Sequence, residues 1–265
     1  MIESRFLKPV IKSPRECKAI LVDPKNLDFK VFMCHKEKSE LKNTNALKYI
    51  QWGEKADVTI KQGTREGQVI RGFQNIATIA SRRLWYSLNS DFGANIFIQM
   101  SFNDIFKFIY SPETILGDAR VYEIKEKVKV NPFVLCGLLN STLSVIFIEL
   151  FGRANLGQGA LDFKVYEVKK IYLLNPKTLK VNVENLLHKL FARETLSVFE
   201  ECGIDRNKPI REQQPKLRPD RKELDDLIFD ILGLSDEERT EFYLSVCELV
   251  KNRLEKAESL REKKK

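Results

Sequence analysis

The sequence predicts a mixed α/β fold, of the α+β kind, with a mixed sheet and a C-terminal helical tail. Three observations predict it. Short runs rich in isoleucine, phenylalanine and valine, bounded by turn residues, recur up to about Pro176 and read as strands. A longer apolar run, Leu135 to Phe151, stands among them at helical length. Beyond Pro176 apolar residues recur at helical spacing, with Gly203 and Gly233 as stops.

The elements follow in order. Ile20-Leu21-Val22 and Phe29 to Met33 are short apolar runs with a turn at Asp23-Pro24 between them. Asn95 to Met100 and Ile105 to Tyr110 flank Ser101 to Asp104 and predict a hairpin. Val121 to Val130 alternates apolar and charged residues, as a half-exposed strand does. Asn131-Pro132 breaks that strand and opens a helix expected to run from Pro132 to Gly152, because proline is tolerated in a first turn. A glycine-rich loop leads to Leu161-Asp162-Phe163 and Lys170 to Leu174, and Asn175-Pro176 closes this part.

A helix is expected over Val181 to Cys202, and another carrying Leu224, Leu227, Ile228, Ile231 and Leu232. Ser235 and Glu238 form a capping-box pattern ahead of the last helix. The expected organisation is a domain over 1–178, a helix over 179–204 packed on it, a basic proline-containing linker over 205–220 and a helical hairpin over 221–265. That hairpin could suggest a helix-turn-helix, but its second helix opens Asp236-Glu237-Glu238, placing carboxylates where base contacts belong. A packing or partner-docking hairpin is preferred.

Composition narrows the function classes. The chain has 265 residues, 43% hydrophobic and 31% charged, which suits a globular protein with its own core. Its net charge of +8 points to a polyanionic partner such as nucleic acid, or else to plain lysine enrichment. Five scattered cysteines, no CxxC pair and two histidines leave no zinc-site pattern and fit a reducing, cytoplasmic setting. The N-terminus has no signal-peptide core, and the Leu135–Phe151 run is too short and polar to span a bilayer, so no membrane partner is expected.

Several chemistries lack their residues. Asn131-Pro132-Phe133 lacks the second proline of an adenine-methyltransferase Asn-Pro-Pro-Tyr loop. Gly157-Gln158-Gly159 follows a helix and precedes a strand, the wrong order for an S-adenosylmethionine loop. No Gly-Lys-Ser/Thr exists for a P-loop. Two Glu-x-Lys triplets, Glu40 to Lys42 behind Asp28 and Glu123 to Lys125 behind Asp118, fit a magnesium nuclease loosely. No catalytic residue, cofactor site or metal ligand is therefore assigned.

Other residues suit nucleic acid. Arg82-Arg83 stand beside Trp85-Tyr86; guanidiniums bond phosphate or guanine bidentately, and aromatics support an extruded base. Packing of Trp85 and Tyr86 in a core, with solvated arginines, fits equally well. Lys61, Arg65 and Arg71 surround Gly63 and Gly67, as in a basic loop that follows a groove or an ordinary surface hairpin. Arg153 lies in the glycine-rich Phe151–Phe163 segment, where glycines permit close backbone approach to a ligand or a neighbouring element. The linker's Arg206, Lys208, Arg211, Lys216 and Arg218 touch phosphates or form a solvated tether.

Several of these segments together resemble a known family. They are Leu47 to Glu54 (LKYIQWGE), Arg82 to Leu88 (RRLWYSL), Asn95 to Ile98 (NIFI), Leu138 to Ser141 (LLNS) and Phe151 to Pro176. In that order they look like the C-terminal half of adenine-specific (N6) DNA methyltransferases of type II and combined restriction-modification systems. There an Arg-x-x-Trp-Tyr segment opens the recognition region, and the Leu-Leu-Asn-Ser helix, glycine loop and Leu-x-Pro strand close it. The closing unit is also similar to type I specificity-subunit recognition domains. The resemblance spans Leu41 to Pro176, and the helices of Arg221 to Arg261 look like tails of such enzymes. The catalytic half is missing.

The resemblance implies a DNA target-recognition (specificity) domain that binds double-stranded DNA and does not methylate alone. S-adenosylmethionine is then expected in a catalytic partner or missing half, and a separate methyltransferase subunit is an implied partner. Arg71, Arg82, Arg83 and Arg153 are the expected DNA contacts, with Lys61 and Arg65 on the backbone and Trp85 and Tyr86 as aromatics. A magnesium-dependent restriction endonuclease subunit and a non-catalytic protein scaffold are the alternatives.

Overall fold

A computed structural model describes residues 1–88, 93–154, 159–179 and 182–262. Gly157 and Gln158 of the glycine-rich loop, and Val181 at the expected helix start, lie outside the described residues. The fold is mixed α/β, as the sequence predicts. Two compact units divide it: Met1–Val10 with Leu27–Gly93, and Ile11–Asn26 with Ala94–Lys265.

In the first unit, which holds residues 7–10 of β1 (Leu7–Ile11), that strand pairs antiparallel with β2 (Lys30–Phe32), Leu7 opposite Phe32. Helix α1 (Asn45–Gly53) has its first turn satisfied by side chains. Thr44 Oγ1 accepts from Leu47 N at 3.1 Å, and the Glu3 carboxylate accepts from Asn45 N at 2.7 Å and Ala46 N at 3.1 Å. These backbone donors hold the Glu3 carboxyl below its ordinary range. Ala46, Ile50 and Gly53 form the buried face of α1, one turn apart, and Ala46 and Ile50 pack with Phe6, Cys34, Leu41 and Tyr86. Strands β3 (Asp57–Thr59) and β4 (Val69–Arg71) make a hairpin.

In the second unit, β5 (Ala94–Gln99) leads to the short β6 (Ser101–Phe102) and the long β7 (Phe108–Gly117), followed by β8 (Val121–Ile124). β5 lies between β7 and β8, antiparallel to both, with Ile98 opposite Phe108 and Tyr122. The expected hairpin between the two isoleucine-rich runs is present. Ile96, Phe97 and Ile98 are all buried, so both faces of β5 are covered. The strand expected to reach Val130 stops at Ile124.

The helix expected from Pro132 to Gly152 is two helices, α2 (Pro132–Leu139) and α3 (Thr142–Phe151), bent by 63°. Asn131 caps α2 through Phe133 N at 2.9 Å. The break has a cause at Asn140. Its Oδ1 accepts from Phe108 N at 3.0 Å, and its Nδ2 donates to Phe108 O at 3.0 Å and Cys136 O at 2.8 Å. The side chain ties the helix end to β7 and competes with continued helix. Asp225 then caps α3, accepting from Thr142 N at 2.8 Å. No single described helix is long and apolar enough to cross a membrane; α2 and α3 reach that length and apolarity only together, across their bend.

Short strands β9 (Arg153–Ala154) and β10 (Leu161–Asp162) pair with each other, and β10 pairs with β6. After α4 (Val165–Val168), the helix expected over Val181 to Cys202 is also divided, into α5 (Glu184–Ala192) and α6 (Val198–Cys202). Ser197 opens α6 in a capping box with Glu200, so the chain restarts there. Gly203 ends α6 with φ +65°.

Segment 205–220 is pinned where a solvated tether was expected: Ile210 is buried, Lys216 N donates to Cys202 O and Arg218 N to Glu201 O. Helix α7 (Pro219–Leu232) ends at Gly233, φ +72°, and α8 (Asp236–Glu262) starts with the expected capping box at Ser235 and Glu238. Both helices share one core with β5 through Ile228, Phe229, Val246 and Val250.

Candidate nucleic-acid interface

The most cationic short stretch of the first unit runs from residue 55 to 83. It holds Lys55, Lys61, Arg65, Arg71, Arg82 and Arg83 against Asp57 and Glu66. The β3–β4 hairpin presents the first part. Asp57 lies opposite Arg71, Val58 opposite Ile70 and Thr59 opposite Val69. Alternation turns Val58 and Ile70 inward to half-burial and leaves the other four exposed. Beyond the strands, Ile60 N donates to Gln68 O and Gly67 N to Ile60 O, both at 2.9 Å. Gly63 and Gly67 have φ of +92° and +83° with open space where a Cβ would sit, so the turn itself requires glycine. Lys61 and Arg65 are exposed on this loop.

The base of the hairpin is joined to its surroundings. Gly72 N donates to Ala56 O at 2.7 Å, and Asn75 Nδ2 to Arg71 O at 2.8 Å. Phe73, two residues past Arg71, packs edge-on to Trp85 at 5.3 Å. Trp85 stands two residues past Arg83, so the hairpin base and the arginine pair share one aromatic support. Tyr49, Trp52, Phe73, Trp85 and Tyr86 form a continuous series of ring contacts.

The expected site residues divide into groups. Lys61, Arg65, Arg71 and Arg82 are exposed, and their side chains bond to no described residue. Arg83 is exposed but ion-paired with Glu37. Trp85 is half-buried, and its Nε1 is buried with no partner among the described residues. Tyr86 is 5% exposed and donates from its hydroxyl to Lys36 O at 2.9 Å; burial pushes its phenol up from the ordinary value. Of the two readings open for this aromatic pair, packing describes Tyr86. Arg153 belongs to the second unit, where its Nε donates to the buried Glu167 carboxylate at 2.8 Å and its guanidinium lies 5.2 Å over the Tyr166 ring.

Trp52 lies in the LKYIQWGE segment but is not among the expected site residues. Its side of α1 carries no apolar periodicity beyond Tyr49, and it is 57% exposed beside Phe73.

The two Glu-x-Lys triplets do other work. Glu40 caps a short helical turn, accepting from Glu37 N at 2.8 Å. Glu123 accepts from Gly117 N at 3.2 Å. Among the described residues no three Asp, Glu, His or Cys side chains converge as metal ligands.

No protein-family model matches the sequence, and no curated protein does. A solved structure shares the architecture: the type IIG restriction endonuclease BpuSI, with a TM-score of 0.58 at 12% identity. The chain has the fold of part of that enzyme. The match covers 96% of this chain and 27% of BpuSI, so the chain spans about a quarter of that protein's length. At this identity the likeness is one of fold.

Proposed function

We propose that this chain is the sequence-specific DNA-binding, target-recognition part of a restriction-modification adenine-N6 DNA methyltransferase. The observation that carries the reading is the fold match, over nearly the whole chain, to part of a type IIG restriction endonuclease. The exposed cations of the β3–β4 hairpin and Arg82 support it, because unpaired guanidiniums can replace phosphate counterions and fix register on a duplex. The methyl donor S-adenosylmethionine and the flipped adenine then belong to a catalytic subunit or half outside this chain.

The test is titration of labelled duplex DNA across a range of salt. Affinity is expected to fall steeply as salt rises, and reversal of Arg71 and Arg82 to glutamate is expected to abolish most of it. Salt-insensitive binding, or no loss on reversal, overturns the assignment.

The name of the structural neighbour favours one second reading, a restriction endonuclease subunit; the magnesium dependence in that reading rests on the two Glu-x-Lys triplets of the sequence alone. Cleavage of DNA by the purified chain with magnesium, lost on Glu123→Ala or Glu40→Ala, would support it over the first.

A further inference from the structure

We propose that Trp52 is a stacking platform for an unpaired nucleobase of a DNA ligand lying along the β3–β4 hairpin. The inference rests on reading that hairpin as a DNA-binding face, and it adds the class of DNA that fits best.

The indole is open yet braced. Trp52 is 57% exposed at the end of α1. Phe73 meets it edge-on at 5.5 Å and an interplanar angle of 83°, and Tyr49 lies at 5.6 Å. Phe73 touches Trp85 at 5.3 Å, and Trp85 touches the buried Tyr86 at 5.7 Å. Ring contacts thus anchor the exposed indole to the core. The backbone adds a second brace: Trp52 O accepts from Lys55 N at 3.0 Å and Ala56 N at 2.9 Å, and Ala56 O accepts from Gly72 N at 2.7 Å. The Arg71–Phe73 turn is therefore fixed to the Trp52 turn.

The charges around the ring select the occupant. Lys48, one helical turn before Trp52, is exposed, as are Lys55 and Arg71. None of the three bonds to a described side chain. Of the nearby acids, Glu54 is paired with Lys38 at 2.9 Å; Asp57, opposite Arg71 in the hairpin register, is the one acid set against the three cations. An aromatic face flanked by free cations suits a base attached to a phosphate chain. Cationic ligands would be repelled, and an apolar protein surface would have to desolvate three ammonium or guanidinium groups. Within a paired duplex both faces of each interior base are covered by its neighbours, so an interior base must be unpaired to reach the ring.

The experiment uses the full chain and two short labelled duplexes, one fully paired and one with an abasic site that leaves one base unpaired. The second is expected to bind about 5-fold tighter or more, in line with the stacking contribution of a single base. Trp52→Ala, a change at an exposed position, should erase that preference and leave affinity for the paired duplex within about 2-fold, because the phosphate contacts remain. The chain has two tryptophans. Indole emission should fall when the unpaired duplex binds the natural chain, and should not fall in Trp52→Phe, whose one indole is Trp85. Equal affinities for the two duplexes, a preference that survives Trp52→Ala, or quenching that persists in Trp52→Phe overturns the inference. Salt-dependent binding without preference would leave the hairpin reading intact. Failure of both duplexes to bind would remove that reading and this one together.

Discussion

The indole of Trp85 lies against the backbone of Gly53: a Cβ at residue 53 would stand 2.6 Å from Trp85 Cη2 and 2.9 Å from Phe73 Cδ2. Neither ring can retreat freely, since each contacts further rings. Gly53→Ala is expected to destabilise the fold by about 1–3 kcal/mol, the usual cost of overpacking. In a Trp85→Phe background the shorter ring leaves room, so the same change should cost less by about 1 kcal/mol or more. Urea unfolding of the four proteins in this cycle measures the coupling. Equal costs in both backgrounds would show that another contact requires the glycine.

This contact explains why part of the candidate interface could not be read in the sequence. LKYIQWGE and RRLWYSL were legible as separate motifs, but their meeting at Gly53 and Trp85 is a tertiary contact. Periodicity says which residues share a face, not which faces meet. Trp85 and Tyr86 carry two readings in the sequence, because an Arg-Arg-Leu-Trp-Tyr run fits a core or a surface until burial is known. Local signals fared better. The β5–β7 hairpin, the stops at Gly203 and Gly233 and the Ser235–Glu238 box are each set by residues a few positions apart. Two long helices were predicted where four short ones exist. Asn140 breaks one pair through bonds to Phe108, 32 positions away. The other break did carry a local signal, the Ser197–Glu200 capping box, which the apolar spacing before it outweighed.

Asn140 makes a prediction of its own. Its amide pairs with both backbone groups of Phe108, and it is 4% exposed. Asn140→Ala should cost about 2–5 kcal/mol, because buried backbone groups lose their partners. Asn140→Asp keeps the acceptor for Phe108 N but turns an ionisable oxygen toward Phe108 O and Cys136 O. Burial and these carbonyls would raise the folded-state pKa of that carboxyl above its unfolded value of about 4. Its contribution is then most favourable below about pH 4 and is lost as pH rises through the raised value. Asn140→Asp should therefore lie closer to the natural protein at pH 4 than at pH 7 in urea midpoint. A gap that widens on acidification would contradict the hydrogen-bond assignment.

Arg193 bridges two acids. Its guanidinium donates to both oxygens of Glu201, at 2.6 and 2.7 Å, and to Asp220 at 2.5 and 3.1 Å. Burial pushes both carboxyls up, but the bonds and charge of Arg193, together with the Arg221 charge and backbone N–H groups of Leu196 and Arg221, hold both below their ordinary values. Their stabilising contribution is thus complete above the unfolded pKa of about 4 and is lost as pH falls through the lower folded values. Arg193→Met keeps much of the stem volume, takes the guanidinium from half-buried Asp220 and leaves buried Glu201 with Arg221 and Leu196 N only, with an expected cost of about 3 kcal/mol at pH 7. In that variant the lowering at both carboxyls is reduced, so acidification should destabilise less than in the natural protein. Urea midpoints at pH 7 and pH 4 decide the matter; identical pH dependence would remove Arg193 from this role.

The pairing state of the two neighbouring arginines separates their expected effects on DNA. Arg83 is ion-paired with Glu37, whereas Arg82 is exposed without a described partner. A phosphate contact by Arg83 would have to break or share that pair, although an exposed pair holds its members by only about 0–1 kcal/mol. Arg82 carries no such cost. On the proposed reading, Arg82→Ala should weaken duplex binding more than Arg83→Ala and lower the salt slope of log affinity by about 0.9, one phosphate contact. Glu37→Gln should then free Arg83 and tighten binding, most visibly at low salt where exposed charges are least screened. Titrations of the three variants at several salt concentrations provide the check. If Arg82→Ala leaves the slope unchanged while Arg83→Ala lowers it, the contact belongs to Arg83, and the Glu37 pair orients that side chain for binding.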